Sequence, residues 1–236
     1  SIHRREDYEA QFAGARPGAA LGEASPRYMF DERVPARIHH DIPDARLVVA
    51  LRHPVDRAYA QWAWARMSAR ETLPFDEAIE LGDERFEAGW GWGSYLKASR
   101  YADQLERYYS LFDREQLHVH LFEDFTGDTV GVMQQMFTHV GVDPAFEPDV
   151  GTAHYGSGVI QNRAARRAWD ASFRLRELLR PIWPVRLRNA AFRFVTRSAR
   201  KPVLDPDLRR TLTDRFRPDI ERTSELIERD LSHWLD

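Results

Sequence analysis

Residues 45–61, ARLVVALRHPVDRAYAQ, constrain this chain more than any other stretch. LVVAL at 47–51 is a short continuous apolar run with branched side chains, the pattern of a parallel strand buried on both faces. Arg52 stands at its carboxyl end, Pro54 supplies the fixed φ of a first helical turn, and Asp56 puts a negative charge where a helix start favours one. The stretch therefore predicts strand, turn and helix in succession, with the helix starting near Pro54. In open α/β sheets ligands collect outside the carboxyl ends of strands, and a guanidinium there can hold a phosphate through two parallel hydrogen bonds. Arg52 is the first candidate for such a site. The spacing equally admits an ion pair between Arg52 and Asp56 that ends the strand and does nothing more.

The rest of the chain alternates in the same manner. Residues 8–12 read as helical, 18–23 as a short strand entering a site, and 33–40 as a helix ahead of LVVAL. The helix from Pro54 continues to about residue 69. Phe75, Ala78, Ile79 and Leu81 have helical spacing, and GWGWGSY at 89–95 reads as a loop. Residues 100–112 have the period of an amphipathic helix, 117–122 that of a strand, and 129–140 that of a helix ended by Gly141. Strands alternating with helices predict an α/β fold with a parallel sheet. At 236 residues the chain is long enough for a full core, and one domain is the simplest count. There are no cysteines, which is compatible with a reducing, cytoplasmic compartment, and no apolar run of membrane-spanning length is present. Of 34 basic residues only Lys97 and Lys201 are lysines.

Two motifs carry more information than periodicity. LRHPVDRAYA at 51–60 resembles the 3′-phosphate-binding segment of the sulfotransferases that use 3′-phosphoadenosine 5′-phosphosulfate (PAPS), whose usual form is LRNPVDRAYS. GEASPRY at 22–28 resembles the strand-end motif that precedes it in bacterial and heparan-type members, and residues 99–125 and 201–235 are also similar to bacterial members. The likeness extends over essentially the whole chain. It implies a single sulfotransferase domain over 1–236, with a three-layer parallel sheet flanked by helices and related to the P-loop NTPases. It also implies transfer of a sulfuryl group from PAPS to a hydroxyl or amine on a small molecule or glycan, leaving 3′-phosphoadenosine 5′-phosphate (PAP), with no metal. Residue by residue, the resemblance makes Glu23 the general base and Arg52 the 3′-phosphate anchor. It brings Arg100 and Tyr101 near the nucleotide, and makes Ser157, Gly158 and Arg163 contacts from a loop that closes over it. A general base needs a raised pKa, and a partly buried carboxylate at a strand end supplies one.

Each role has a plainer competitor. Glu23 can cap a helix or pair with Arg27, Tyr101 can pack in the core, and Asn162 can cap a helix whose arginines face solvent.

The chain departs from the family pattern in two respects. The PKSGTT-type loop whose N–H groups and basic side chain cradle the 5′-phosphosulfate is not found, and GARPGAA at 14–20 lacks both the hydroxyl and a preceding apolar strand. The expectation is that Ser1 falls inside a family-length protein. The other reading is a protein that has lost half its donor site, a non-catalytic nucleotide-binding or scaffolding protein. Second, the serine expected eight residues after Arg52 is Ala60, and one charge-assisted hydrogen bond fewer weakens donor binding by about 1.5–3 kcal/mol. Arg57, Tyr59 and Gln61 are the side chains nearby in sequence that carry a compensating donor. A kinase of related fold is disfavoured, because no Walker-type loop occurs.

Charge and aromatic patterns add weaker leads. Residues 163–201 hold 12 basic and two acidic side chains in a chain of net charge −3, interleaved with Trp169, Phe173, Leu178 and Trp183. Such a segment suits a solvated basic helix pair, a cleft for an anionic acceptor, or contact with a membrane surface. Weakly acidic overall charge argues against nucleic acid as a partner. His118 and His120 would share one face of a strand, without the acidic or thiolate partners a closed metal site requires. Trp62 and Trp64, with the GWGWGSY loop, border an acceptor pocket or pack beneath it.

Overall fold

Local sequence accounts for where most elements start and stop in the computed structural model, which describes residues 4–89, 93–150, 159–160, 167, 171–172, 199–200 and 203–236. Helix α1 (Arg5–Glu9) runs into a 3₁₀ turn at Ala10–Phe12, and α2 (Val34–Asp41) has Pro35 in its first turn. The apolar run forms β1 (Leu47–Leu51), and α3 (Pro54–Met67) follows with Pro54 at its first position. Next come α4 (Phe75–Glu80), α5 (Gly82–Glu87), a 3₁₀ turn at Lys97–Ser99 and α6 (Ala102–Tyr109). After a 3₁₀ turn at Arg114–Gln116 the chain forms β2 (Leu117–Leu121), α7 (Phe122–Gly127) and α8 (Thr129–Val140). Short strands β3 (Val159–Ile160) and β4 (Ala199–Arg200) precede α9 (Pro206–Leu226) and a last 3₁₀ turn at Ser232–Trp234.

Contacts group these elements into two compact units, Ser1–Leu51 with Gln104–Val150 and Arg52–Asp103 with Gly151–Asp236. In the first unit β1 pairs with β2 in parallel, Leu47 opposite Leu117 and Leu51 opposite Leu121. The Gln116 amide sets this register by donating to the carbonyls of Pro43 (2.8 Å) and Ala45 (3.2 Å), which ties the two strand entrances together. From α8, His139 Nε2 meets the Leu47 carbonyl at 3.0 Å, while Arg46 donates to the His139 carbonyl. Asp128 caps the start of α8 by accepting from the Gly131 N–H at 2.9 Å, and Gly141 ends it at φ +79°, a left-handed position glycine tolerates without strain. The parallel α/β arrangement is the one expected.

Two expectations are corrected here. Residues 19–25 form no strand: GAALGEASP has no β-branched side chain, and Gly18 turns the chain at φ +77°. β1 is not buried on both faces either. Leu51 is fully buried, but Ala50 is exposed and Leu47, Val48 and Val49 are half-buried, so the faces of β1 are only partly covered by the described residues.

The second unit is built on α3, against which α9 packs. Leu212, Phe216 and Ile220 lie four apart on α9 and are buried together, and Asp205 starts the helix by accepting from the N–H groups of Asp207 and Leu208. Tyr59, Trp62 and Phe75 form an aromatic cluster with ring centroids 4.9–5.7 Å apart. Trp62 also donates to the Leu73 carbonyl at 3.0 Å, so this tryptophan is core rather than the border of a pocket. No described helix is long and apolar enough to cross a membrane.

Candidate functional site

Arg52 is half-buried where β1 ends, in the link to α3. Its neighbour His53 is the helix cap. Val55 N–H donates to His53 Nδ1 at 3.2 Å, which leaves the ring proton on Nε2, and Nε2 lies 2.9 Å from the Trp234 carbonyl as a donor would. The carbonyl of Arg52 is held in turn by the Tyr101 hydroxyl at 2.8 Å. Tyr101 is only 3% exposed, and burial pushes its hydroxyl up to about 12, which keeps it protonated and donating.

The start of α6 is fixed from α9. Asp219 Oδ2 and Oδ1 accept from the N–H groups of Tyr101 (2.9 Å) and Ala102 (3.1 Å), two donors that a helix start leaves open. Asp56, in the first turn of α3, forms an ion pair with Arg209 of α9 at 2.5 Å. Burial pushes the Asp56 carboxyl up, but the Arg209 pair, with His53 and Arg52 nearby, outweighs it and holds the group below its ordinary value.

The side chains near Ala60 have other engagements. Arg57 donates to Ser99 Oγ at 2.9 Å, and Ser99 Oγ donates to the Tyr95 carbonyl at 2.9 Å; burial pulls the Arg57 guanidinium down. Tyr59 belongs to the aromatic cluster, and Gln61 is half-buried on the same helix. Arg100 is exposed.

Beyond Tyr95 the network reaches Glu71, a carboxylate 1% exposed. It accepts from the Thr72 and Leu73 N–H groups (2.8 and 2.9 Å), from Arg85 (2.7 Å) and from the Tyr95 hydroxyl (2.9 Å). Burial pushes Glu71 up, yet the Leu73 N–H, Arg85 and Tyr95 together hold it below the usual carboxylate range.

Glu23 belongs to the other unit and has a different setting. It is exposed, in a segment without regular structure, so the partly buried strand-end position expected of it is corrected. Its contact is the Tyr8 phenol, whose hydrogen bond to the Glu23 carboxylate raises the phenol above its ordinary value.

Ser157, Gly158 and Arg163 lie outside the described residues, as do most of the basic segment 163–201 and residues 90–92 of the GWGWGSY loop. Among the described residues no group of three histidine, cysteine or acidic side chains is arranged to hold a metal ion. His118 and His120 do share a face of β2, with ring centroids 6.2 Å apart and His139 5.3 Å from His118.

Sequence reasoning singled out Arg52 and Tyr101, but not the bond between them, and gave His53, Trp234 and Asp219 no role. A histidine cap is outside the usual Ser, Thr, Asp and Asn set, so the one available signal was its place directly before Pro54. Trp234 and Asp219 are 181 and 118 residues from their partners and gave no signal at all.

A parallel α/β frame, with an arginine at a strand end next to a proline-started helix, defines an α/β protein. A family model described as the sulfotransferase family matches residues 5–148. A crystal structure of a sulfotransferase from Alicyclobacillus acidocaldarius is similar at 30% sequence identity with a TM-score of 0.76, over 100% of this chain and 76% of that one. The chain belongs to the sulfotransferase family. No curated protein matches it.

Proposed function

We propose that this sulfotransferase-family chain moves a sulfuryl group from PAPS to an acceptor hydroxyl or amine. Arg52 grips the donor's 3′-phosphate, and Glu23 takes the acceptor's proton as its oxygen or nitrogen bonds to sulfur. The bond from sulfur to the 5′-phosphate oxygen breaks, and PAP leaves with the electron pair on that oxygen. The observation that carries this reading is Arg52 itself, half-buried in the link between β1 and α3 with its carbonyl fixed by Tyr101. An always-charged planar fork at that place suits a phosphate. The exposed Glu23 carboxylate is open to an incoming acceptor.

In this reading Arg100 and the loop residues Ser157, Gly158 and Arg163 add nucleotide contacts, residues 1–236 act as one sulfotransferase domain, and the acceptor is a small molecule or glycan. No metal enters the reaction. The basic segment 163–201 offers an anionic acceptor or a membrane surface its complement.

Calorimetric titration with PAP tests the donor assignment. Binding that is lost or greatly weakened in Arg52→Ala supports it, and unchanged affinity removes it. Ala60, which carries no hydroxyl, favours a second reading as a non-catalytic nucleotide-binding protein. PAP binding without sulfuryl transfer from PAPS to any of a panel of hydroxyl and amine acceptors would select that reading.

A further inference from the structure

We propose that Tyr101, His53 and Trp234 are positioning residues that set Arg52 for the 3′-phosphate, so that the carboxyl-terminal turn of the chain controls how well the donor is discriminated. The proposal rests on the reading of Arg52 as the 3′-phosphate anchor. Three bonds bracket the Arg52–Pro54 turn: Tyr101 hydroxyl to Arg52 carbonyl, Val55 N–H to His53 Nδ1, and His53 Nε2 to Trp234 carbonyl. The neutral imidazole with its proton on Nε2 satisfies both of its partners, accepting on one side and donating on the other. The Trp234 ring joins the two supports, standing 6.1 Å from His53 and 6.4 Å from Tyr101, and the residue is 2% exposed. Tyr101 is itself fixed by the Asp219 carboxylate. None of these side chains needs to touch the nucleotide. Each limits where the Arg52 backbone can go, and a bidentate grip tolerates about 0.5 Å of error.

A purely structural role would weaken all nucleotides alike, whereas a role through Arg52 weakens only those that carry a 3′-phosphate. The test is therefore the ratio of affinities for PAP and for adenosine 5′-monophosphate, measured by calorimetry on the whole chain alongside melting temperature. The wild type should prefer PAP, and Arg52→Ala should abolish the preference. Tyr101→Phe removes one oxygen, and should lower the ratio by about three- to tenfold. His53→Asn keeps a side-chain acceptor for the α3 cap but is too short to reach the Trp234 carbonyl, and it should lower the ratio by a similar factor. If Tyr101→Phe does not fold, His53→Asn carries the test alone. A ratio lost in Arg52→Ala but intact in a folded positioning variant overturns this proposal and leaves the anchor standing. A wild type with no preference, or an unchanged ratio in Arg52→Ala, overturns both.

Discussion

The turn that carries Arg52 is tied by a tyrosine hydroxyl, a capping histidine and a distant backbone carbonyl, whereas Glu23 is exposed in an irregular segment. The contrast follows the chemistry each is assigned. A phosphate anchor must present a fixed fork to a ligand of fixed shape, and rigidity there costs nothing in turnover. A base that must meet an acceptor and release a product benefits from access. Stability and catalysis should therefore separate: changes at Glu23 should alter turnover without altering folding, and changes behind Arg52 should do the reverse or alter donor binding.

The largest effect is expected at the open end of this comparison. Glu23→Gln should reduce sulfuryl transfer by about 10²–10⁴-fold, the usual worth of a general base, with PAP affinity and melting temperature unchanged. A drop in melting temperature would show that the segment is less independent than its exposure suggests. Next is the buried carboxylate at the other extreme. Glu71→Ala removes the buried carboxylate that Arg85, the Tyr95 hydroxyl and the Thr72 and Leu73 N–H groups share, and should destabilise the fold by about 3–5 kcal/mol in urea denaturation. Arg52→Ala comes third, with a loss of about 1.5–3 kcal/mol in PAP binding for a charged hydrogen-bonding group and little change in stability.

The smallest effect concerns pH and the first unit. Burial pulls His118 and His120 below the ordinary 6.5, aided by His139 beside His118 and by His118 beside His120, while Asp124 pulls His120 the other way. The unfolded chain takes up protons below pH 6.5 that these folded rings do not, so stability is full above that pH and is lost as pH falls through their lowered values. Melting temperature should fall between pH 7 and pH 5, and a His118→Gln, His120→Gln double variant should flatten the curve. An unchanged slope would remove the two rings as its source, because carboxylates held low, such as Glu71 and Asp31, the latter at about 2 by Arg33, lose their contribution only below about pH 5.

What could be read in the sequence was local. LVVAL, Pro54 and Gly141 place β1, the start of α3 and the end of α8 because branched apolar runs, fixed φ and positive φ act within a few residues. Reading residues 18–23 as a strand failed because the stretch has no β-branched side chain and Gly18 turns the chain at its start. Arg52 was singled out as the expected anchor because a family motif names it. Tyr101 was singled out too, but its bond to Arg52 was not, and Trp234 and Asp219 were not singled out at all, since these residues act through hydrogen bonds between stretches with no sequence relation to one another. Arg57 shows the limit from the other side: a donor close to Ala60 in sequence turns instead to Ser99.

The carboxylate of Asp219 gives the molecule a built-in reporter. The N–H groups of Tyr101 and Ala102, at the start of α6, have as their acceptor a side chain on α9. Their exchange with deuterium must wait until α9 lifts, so these two amides time the undocking of the carboxyl-terminal helix, and ligands that slow them do so by holding that helix down.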